Sequence, residues 1–165
     1  MLIWLFVQQK DFESALIQAK AIDKRQKGDG GRVMSLAAMA AANMNYETAV
    51  KAYQYVIDKG RDNPSYISAR MEMLNTLNKK VTESNTYTAA DLQKLEKDYQ
   101  QTLTELGKGG QTAALMKGLA HLQAFYLDQS DSAISLLEDA IAFPNISKQT
   151  QAECKLELGD VYLFT

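Results

Sequence analysis

A short motif recurs along this chain at a fixed distance. Asp11-Phe12-Glu13-Ser14-Ala15-Leu16 and Asn45-Tyr46-Glu47-Thr48-Ala49-Val50 stand 34 residues apart and share one order: a helix-capping residue, an aromatic, an acid, then alanine. Ser130-Asp131-Ser132-Ala133-Ile134 repeats that order more loosely. Self-similarity with a period of about 20 to 50 residues constrains a fold more than composition does, because each copy buries its apolar face only by stacking on its neighbours. Behind the second copy, Ala49, Tyr53, Val56 and Ile57 are spaced to share one face of a helix. No stretch alternates with period 2, so the expected fold class is all-α.

Each of these helices follows another amphipathic helix after a short turn. In the second unit the expected first helix runs from Val33 to Asn43, Met44-Asn45 turns the chain, and the second helix runs from Tyr46 to Lys59. Asn63 followed by Pro64 reads as a cap with proline at the first helical position, where a missing N–H costs nothing. That opens a third unit, with a first helix to about Asn78 and a second helix carrying Leu92, Leu95, Tyr99, Leu103 and Leu106. Lys79 to Thr88 between them is polar and aperiodic, and reads as an inserted loop in which Thr88 and Asp91 resemble a capping box. The fourth unit places Met116, Leu119, Ala120 and Ala124 inward on one helix and Ala133, Leu136, Leu137 and Ala140 on the next.

Leu158-Gly159-Asp160-Val161-Tyr162 carries Leu, Gly and Tyr at the spacing of a first-helix signature. With it, the chain resembles the tetratricopeptide repeat (TPR) family. Aligned on the small residue that lets paired helices approach, Ile3, Ala37, Met71, His121 and Gly159 become equivalent, at offsets of 34, 34, 50 and 38. The resemblance implies one solenoid segment over 1–165, a right-handed superhelix of stacked antiparallel helix pairs. Its units are about 1–29, 30–63, 64–110 with the loop near 79–88, 111–146 and a truncated 147–165. A solenoid normally ends on a polar face, yet this chain ends on Tyr162-Leu163-Phe164 and begins inside an apolar run, Met1 to Val7. The expectation is a fragment of a longer repeat protein, whose exposed ends allow self-association.

Little here points to chemistry. With 46% apolar and 23% charged residues, 2 Pro and 9 Gly, the chain has the balance of a folded domain rather than a disordered or collagenous one. A formal charge of -2 gives no global attraction for nucleic acid or anionic lipid, so no nucleic-acid partner is expected. Met1 to Val7 is too short to span a bilayer, so no membrane insertion of this segment is expected either. Cys154, the only cysteine, rules out an internal disulfide or a CxxC site and leaves the compartment open. Gly28-Asp29-Gly30-Gly31 and Gly107-Lys108-Gly109-Gly110-Gln111-Thr112 precede helices, but neither follows a strand nor has the Gly-Lys-Ser/Thr ending of a phosphate loop. They read as turns between repeats. His121, the sole histidine, reads as a packing residue and Cys154 as an inert thiol. Glu47, Glu96, Asp98 and Glu138 have lysine neighbours on solvated helix faces. The triplet Asn145-Ile146-Ser147 reads as a helix cap by Ser147. No catalytic residue, metal or cofactor is assigned, and the expectation is a non-enzymatic protein.

In the TPR family first helices line the concave face on which peptides lie. The resemblance puts Met34, Ala38, Ser68, Glu72, Leu122 and Asp160 there, with Asn75 and Phe125 one turn on and Tyr126 beside them. No Lys or Arg stands at these places, and Glu72 and Asp160 repel a carboxylate, so an apolar or basic segment suits this face better than an acidic C-terminus. The expected function is a protein-interaction scaffold; the alternative is a sensory or regulatory helical region of a larger signalling enzyme or transcription regulator.

Overall fold

The computed structural model of the chain describes residues 2–84 and 86–165, apart from the side chain of Ser84. Met1 of the expected first helix and Asn85 of the expected loop lie outside the described residues. All regular structure among the described residues is helical: α1 (Leu2–Gln8), α2 (Phe12–Gln26), α3 (Gly31–Ala42), α4 (Tyr46–Ile57), α5 (Tyr66–Ser84), α6 (Ala89–Leu106), α7 (Ala113–Tyr126), α8 (Ser130–Ala142) and α9 (Lys148–Phe164). The chain divides into two compact units, Met1–Lys80 and Val81–Thr165.

In the first unit, α1 packs on α2, α2 on α3 and α3 on α4. The sequence repeat reappears in the backbone of the turns. Lys10 and Met44 both take a left-handed conformation, at φ 57° and 58°. In both turns the next N–H, of Asp11 or Asn45, reaches back to the carbonyl of Phe6 or Ala40 at 2.9 Å. A non-glycine residue in that region costs roughly 1–2 kcal/mol, offset here because the turn satisfies carbonyls that a helix end leaves open. Asp11 and Asn45 then accept hydrogen bonds from the Ser14 and Thr48 N–H groups, capping α2 and α4. The core is built of small residues at the crossings, with Ala15 and Ala19 of α2, Ala37 and Ala40 of α3, Ala49 and Ala52 of α4 and Ala69 of α5 all buried. Tyr53 and Val56 fill the space that the alanines leave.

In the second unit α7 is the central helix, packed against α6, α8 and α9. α6 starts with the expected capping box: the Thr88 hydroxyl accepts from the Asp91 N–H at 3.2 Å, and the Thr88 N–H donates to the Asp91 carboxylate at 2.9 Å. Ser147 caps α9 as expected, accepting from the Thr150 N–H at 3.0 Å.

Two local expectations are corrected. Lys79 to Ser84 is helix, so the loop between α5 and α6 is shorter than 79–88. Its residues are polar but helix-compatible, and Val81 continues the apolar stripe of Leu74 and Leu77 at spacings of 3 and 4. Pro64 lies in a turn ahead of α5 rather than in its first turn. Asn63 is committed there, its side chain accepting from the Ser65 N–H at 2.8 Å and donating to the Asp29 carbonyl at 2.7 Å.

Candidate functional site

The residues of the expected binding face fall in both units. In the first, Met34 is half-buried and Ala38 exposed on α3; on α5, Ser68 and Glu72 are exposed one turn apart and Asn75 is half-buried. In the second, Phe125 and Asp160 are exposed, Tyr126 is half-buried, and Leu122 is completely buried. Leu122 therefore belongs to the core and not to a binding face. The cause is register. On α3 the buried residues are Val33, Leu36, Ala37 and Ala40, and α7 repeats those spacings with Met116, Leu119, Ala120 and Gln123. Ala120, not His121, thus takes the buried place on α7 that Ala37 takes on α3, and one residue of error turns a side chain by about 100°. A helix packed on three sides also buries a second stripe, Leu115 and Leu122. Gly159 is exposed, and a Cβ there would meet nothing within 4 Å, while Cys154 and Val161 carry the packing of α9.

What α7 presents beside this core is an aromatic row. The His121 ring lies 4.9 Å from the Phe125 ring and 5.9 Å from that of Tyr126, which stands edge-on to Tyr87 at 5.6 Å. Burial, then the neighbouring Tyr87, raises the Tyr126 phenol above its ordinary value. His121 Nδ1 sits 2.7 Å from the Glu157 carboxylate, and one turn earlier Lys117 reaches Glu153 at 2.6 Å. These two rungs tie α7 to α9. The Lys117 ammonium, helped by Gln149, holds the Glu153 carboxyl below its ordinary value. In the first unit, Glu72 stands near Tyr53. Burial first and the Glu72 charge second push the Tyr53 phenol up to about 12, against a hydrogen bond with Thr76.

One cluster escapes sequence reasoning altogether. Asp23, near the end of α2, is almost fully buried and collects three donors. The Gly30 N–H donates at 2.9 Å, the Tyr55 hydroxyl at 2.9 Å, and the Lys59 ammonium lies 2.6 Å away. Burial alone would raise this carboxyl, but Lys59, Tyr55 and Gly30 together outweigh it and hold it below its ordinary value. The Asp23 bond raises Lys59 in turn. Gly30 is left-handed at φ +91°, and a Cβ there would press on Val56 at 2.9 Å. Both acceptor oxygens of the carboxylate are occupied, so the cluster clamps the α2–α3 turn onto α4. The available signal was electrostatic: an acid in the last turns of a helix opposes the helix dipole and so implies a compensating partner.

The remaining candidates resolve as packing. Cys154 is buried with its sulfur 3.9 Å from the Ala113 carbonyl, and burial raises its thiol. His121 is engaged by Glu157 rather than by Cys154. No group of three or more His, Cys, Asp or Glu suited to a metal ion occurs among the described residues, and no helix of the described residues is long and apolar enough to cross a membrane. Comparison with known protein families and with curated proteins finds no match.

Proposed function

We propose that the chain is a TPR-like solenoid segment, a right-handed stack of antiparallel helix pairs, acting as a non-enzymatic scaffold for a partner's apolar or basic segment. The carrying observation is the aromatic row His121, Phe125 and Tyr126, held by ring contacts and by Glu157 on a helix that is packed on three sides. Such a surface is preformed, so binding loses little entropy on the protein side. Aromatic faces beside carboxylates favour Lys- or Arg-bearing apolar segments through cation–π and Coulomb attraction, and disfavour acidic ones. The recurrence of one turn geometry at Lys10 and Met44, 34 residues apart, supports the repeat architecture.

A panel of fluorescent peptides, basic-apolar against acidic C-terminal, tests the reading by anisotropy. The basic peptides should bind better, with affinity falling as salt rises. Phe125→Ala should weaken binding about tenfold, as loss of a central aromatic contact does, while Lys94→Ala on the exposed face of α6 should not. A preference for acidic peptides, or equal loss from both variants, refutes it.

A further inference from the structure

We infer that a cleft bounded by α6, α7 and α8 is a binding site for a primary alkylammonium group. It lies within the second unit, has a volume of about 670 Å³, and shares no residue with the aromatic row. Gln123 of α7 lines it and is only 6% exposed. Its side-chain nitrogen donates to the Glu96 carboxylate at 3.1 Å. A carboxylate only accepts, so the amide cannot reverse, and the oxygen is the atom left over. That oxygen, Oε1, is buried and accepts no hydrogen bond from the described residues. A buried carbonyl without a donor is costly, and the side chain that carries this one lines the cleft.

The other lining groups say which donor. α8 presents Asp131, Ser135 and Asp139 at intervals of four residues, one stripe along the cleft wall, and Leu119 and Leu136 make its apolar part. Asp139 is held at 3.7 Å by Lys108, an ammonium of the chain itself. Asp131 has no hydrogen-bond or ion-pair partner among the described residues. An anion meets two carboxylates here. A neutral amide could satisfy Gln123 Oε1 and would leave Asp131 without a counter-charge. A guanidinium's flat fork suits bidentate pairing with one carboxylate, whereas an ammonium is a compact charge whose three donors turn freely to a carbonyl and a carboxylate together. Its alkyl stem then lies on the leucines. Such a group comes either from a lysyl side chain of a peptide or from a free aliphatic diamine.

Nitrogen-15 NMR titration of the full chain separates these sources, with N-acetyl-lysine methylamide in one arm and 1,5-diaminopentane in the other. 1-Pentanol is the uncharged control. Saturable shifts of the Gln123 side-chain amide and of the first turn of α8 are expected with an amine and not with pentanol. The arm that saturates at lower concentration names the source. Asp131→Asn and Gln123→Leu should each weaken binding about tenfold, the factor of one lost charge-assisted hydrogen bond, and Lys94→Ala should leave it unchanged. Should Gln123→Leu fail to fold, the exposed Asp131→Asn substitution decides. Absence of saturable shifts with either amine, equal shifts with pentanol, or binding indifferent to Asp131→Asn overturns the assignment.

Discussion

Replacing Asp23 by alanine removes one small side chain and strands three donors. The Gly30 N–H is buried, so leaving it unmet costs about 1–3 kcal/mol. The Lys59 side chain is 22% exposed and Tyr55 is half-buried, so both recover part of their loss by turning to water, and each is worth about 1 kcal/mol. Asp23→Ala should therefore destabilise the first unit by about 3–5 kcal/mol, the range for breaking a buried pair from one side. Asp23→Asn keeps a carbonyl for one donor and should cost less. The pH dependence has a defined sign. A carboxyl held below its ordinary value stabilises the fold fully above the unfolded value of about 3.9, and that contribution disappears as pH falls through the lower, folded value. The stability gap between the native chain and Asp23→Asn should thus be full at neutral pH and close in acid. Urea unfolding read by circular dichroism, with hydrogen exchange at the α3 and α4 amides to isolate the first unit, measures both effects. A loss below about 0.5 kcal/mol for Asp23→Ala, the scale of an ordinary surface change, or a gap that persists unchanged in acid, refutes the clamp.

Two glycines of the second unit should respond in opposite directions. A Cβ on Gly118 would lie 2.7 Å from the hydroxyl of fully buried Tyr99, so Gly118→Ala gains about 1 kcal/mol of helix propensity but loses about 1–3 kcal/mol to overpacking, a net destabilisation. Gly159→Ala meets nothing and should stabilise α9 by about 0.5–1 kcal/mol; thermal melts of the two variants give the signs. Ala49 is completely buried at a helix crossing, and Ala49→Leu should cost about 1–3 kcal/mol, so an unchanged melting temperature would show that the crossing is loose. The Cys154 thiol, buried and raised, should resist a thiol-specific chromogenic disulfide reagent until urea unfolds the chain. Fast labelling under native conditions contradicts that burial.

The helices and their caps were legible in the chain because they depend on neighbours within one turn. Asp11, Asn45, Thr88 and Ser147 each satisfy an N–H three residues away, a relation written directly in the sequence. The recurring order around Asp11 and Asn45 likewise announced the turn that precedes each of them, since the same local residues close it in the same way. Which side of a helix is covered is a different kind of information. Leu122 and His121 are adjacent, and only the packing of other helices around α7 buries the first and leaves the second half-exposed beside Glu157. Asp23 reads locally as one more solvated acid among Lys24 and Arg25 until Tyr55 and Lys59, 32 and 36 residues further on, fold over it. Gln123 becomes a buried amide with one unmet oxygen only because Glu96 arrives from another helix. Periodicity along a chain specifies an apolar stripe to within a residue, about 100° of rotation, whereas pairing a polar group demands angstroms, and that precision exists only once the helices have packed.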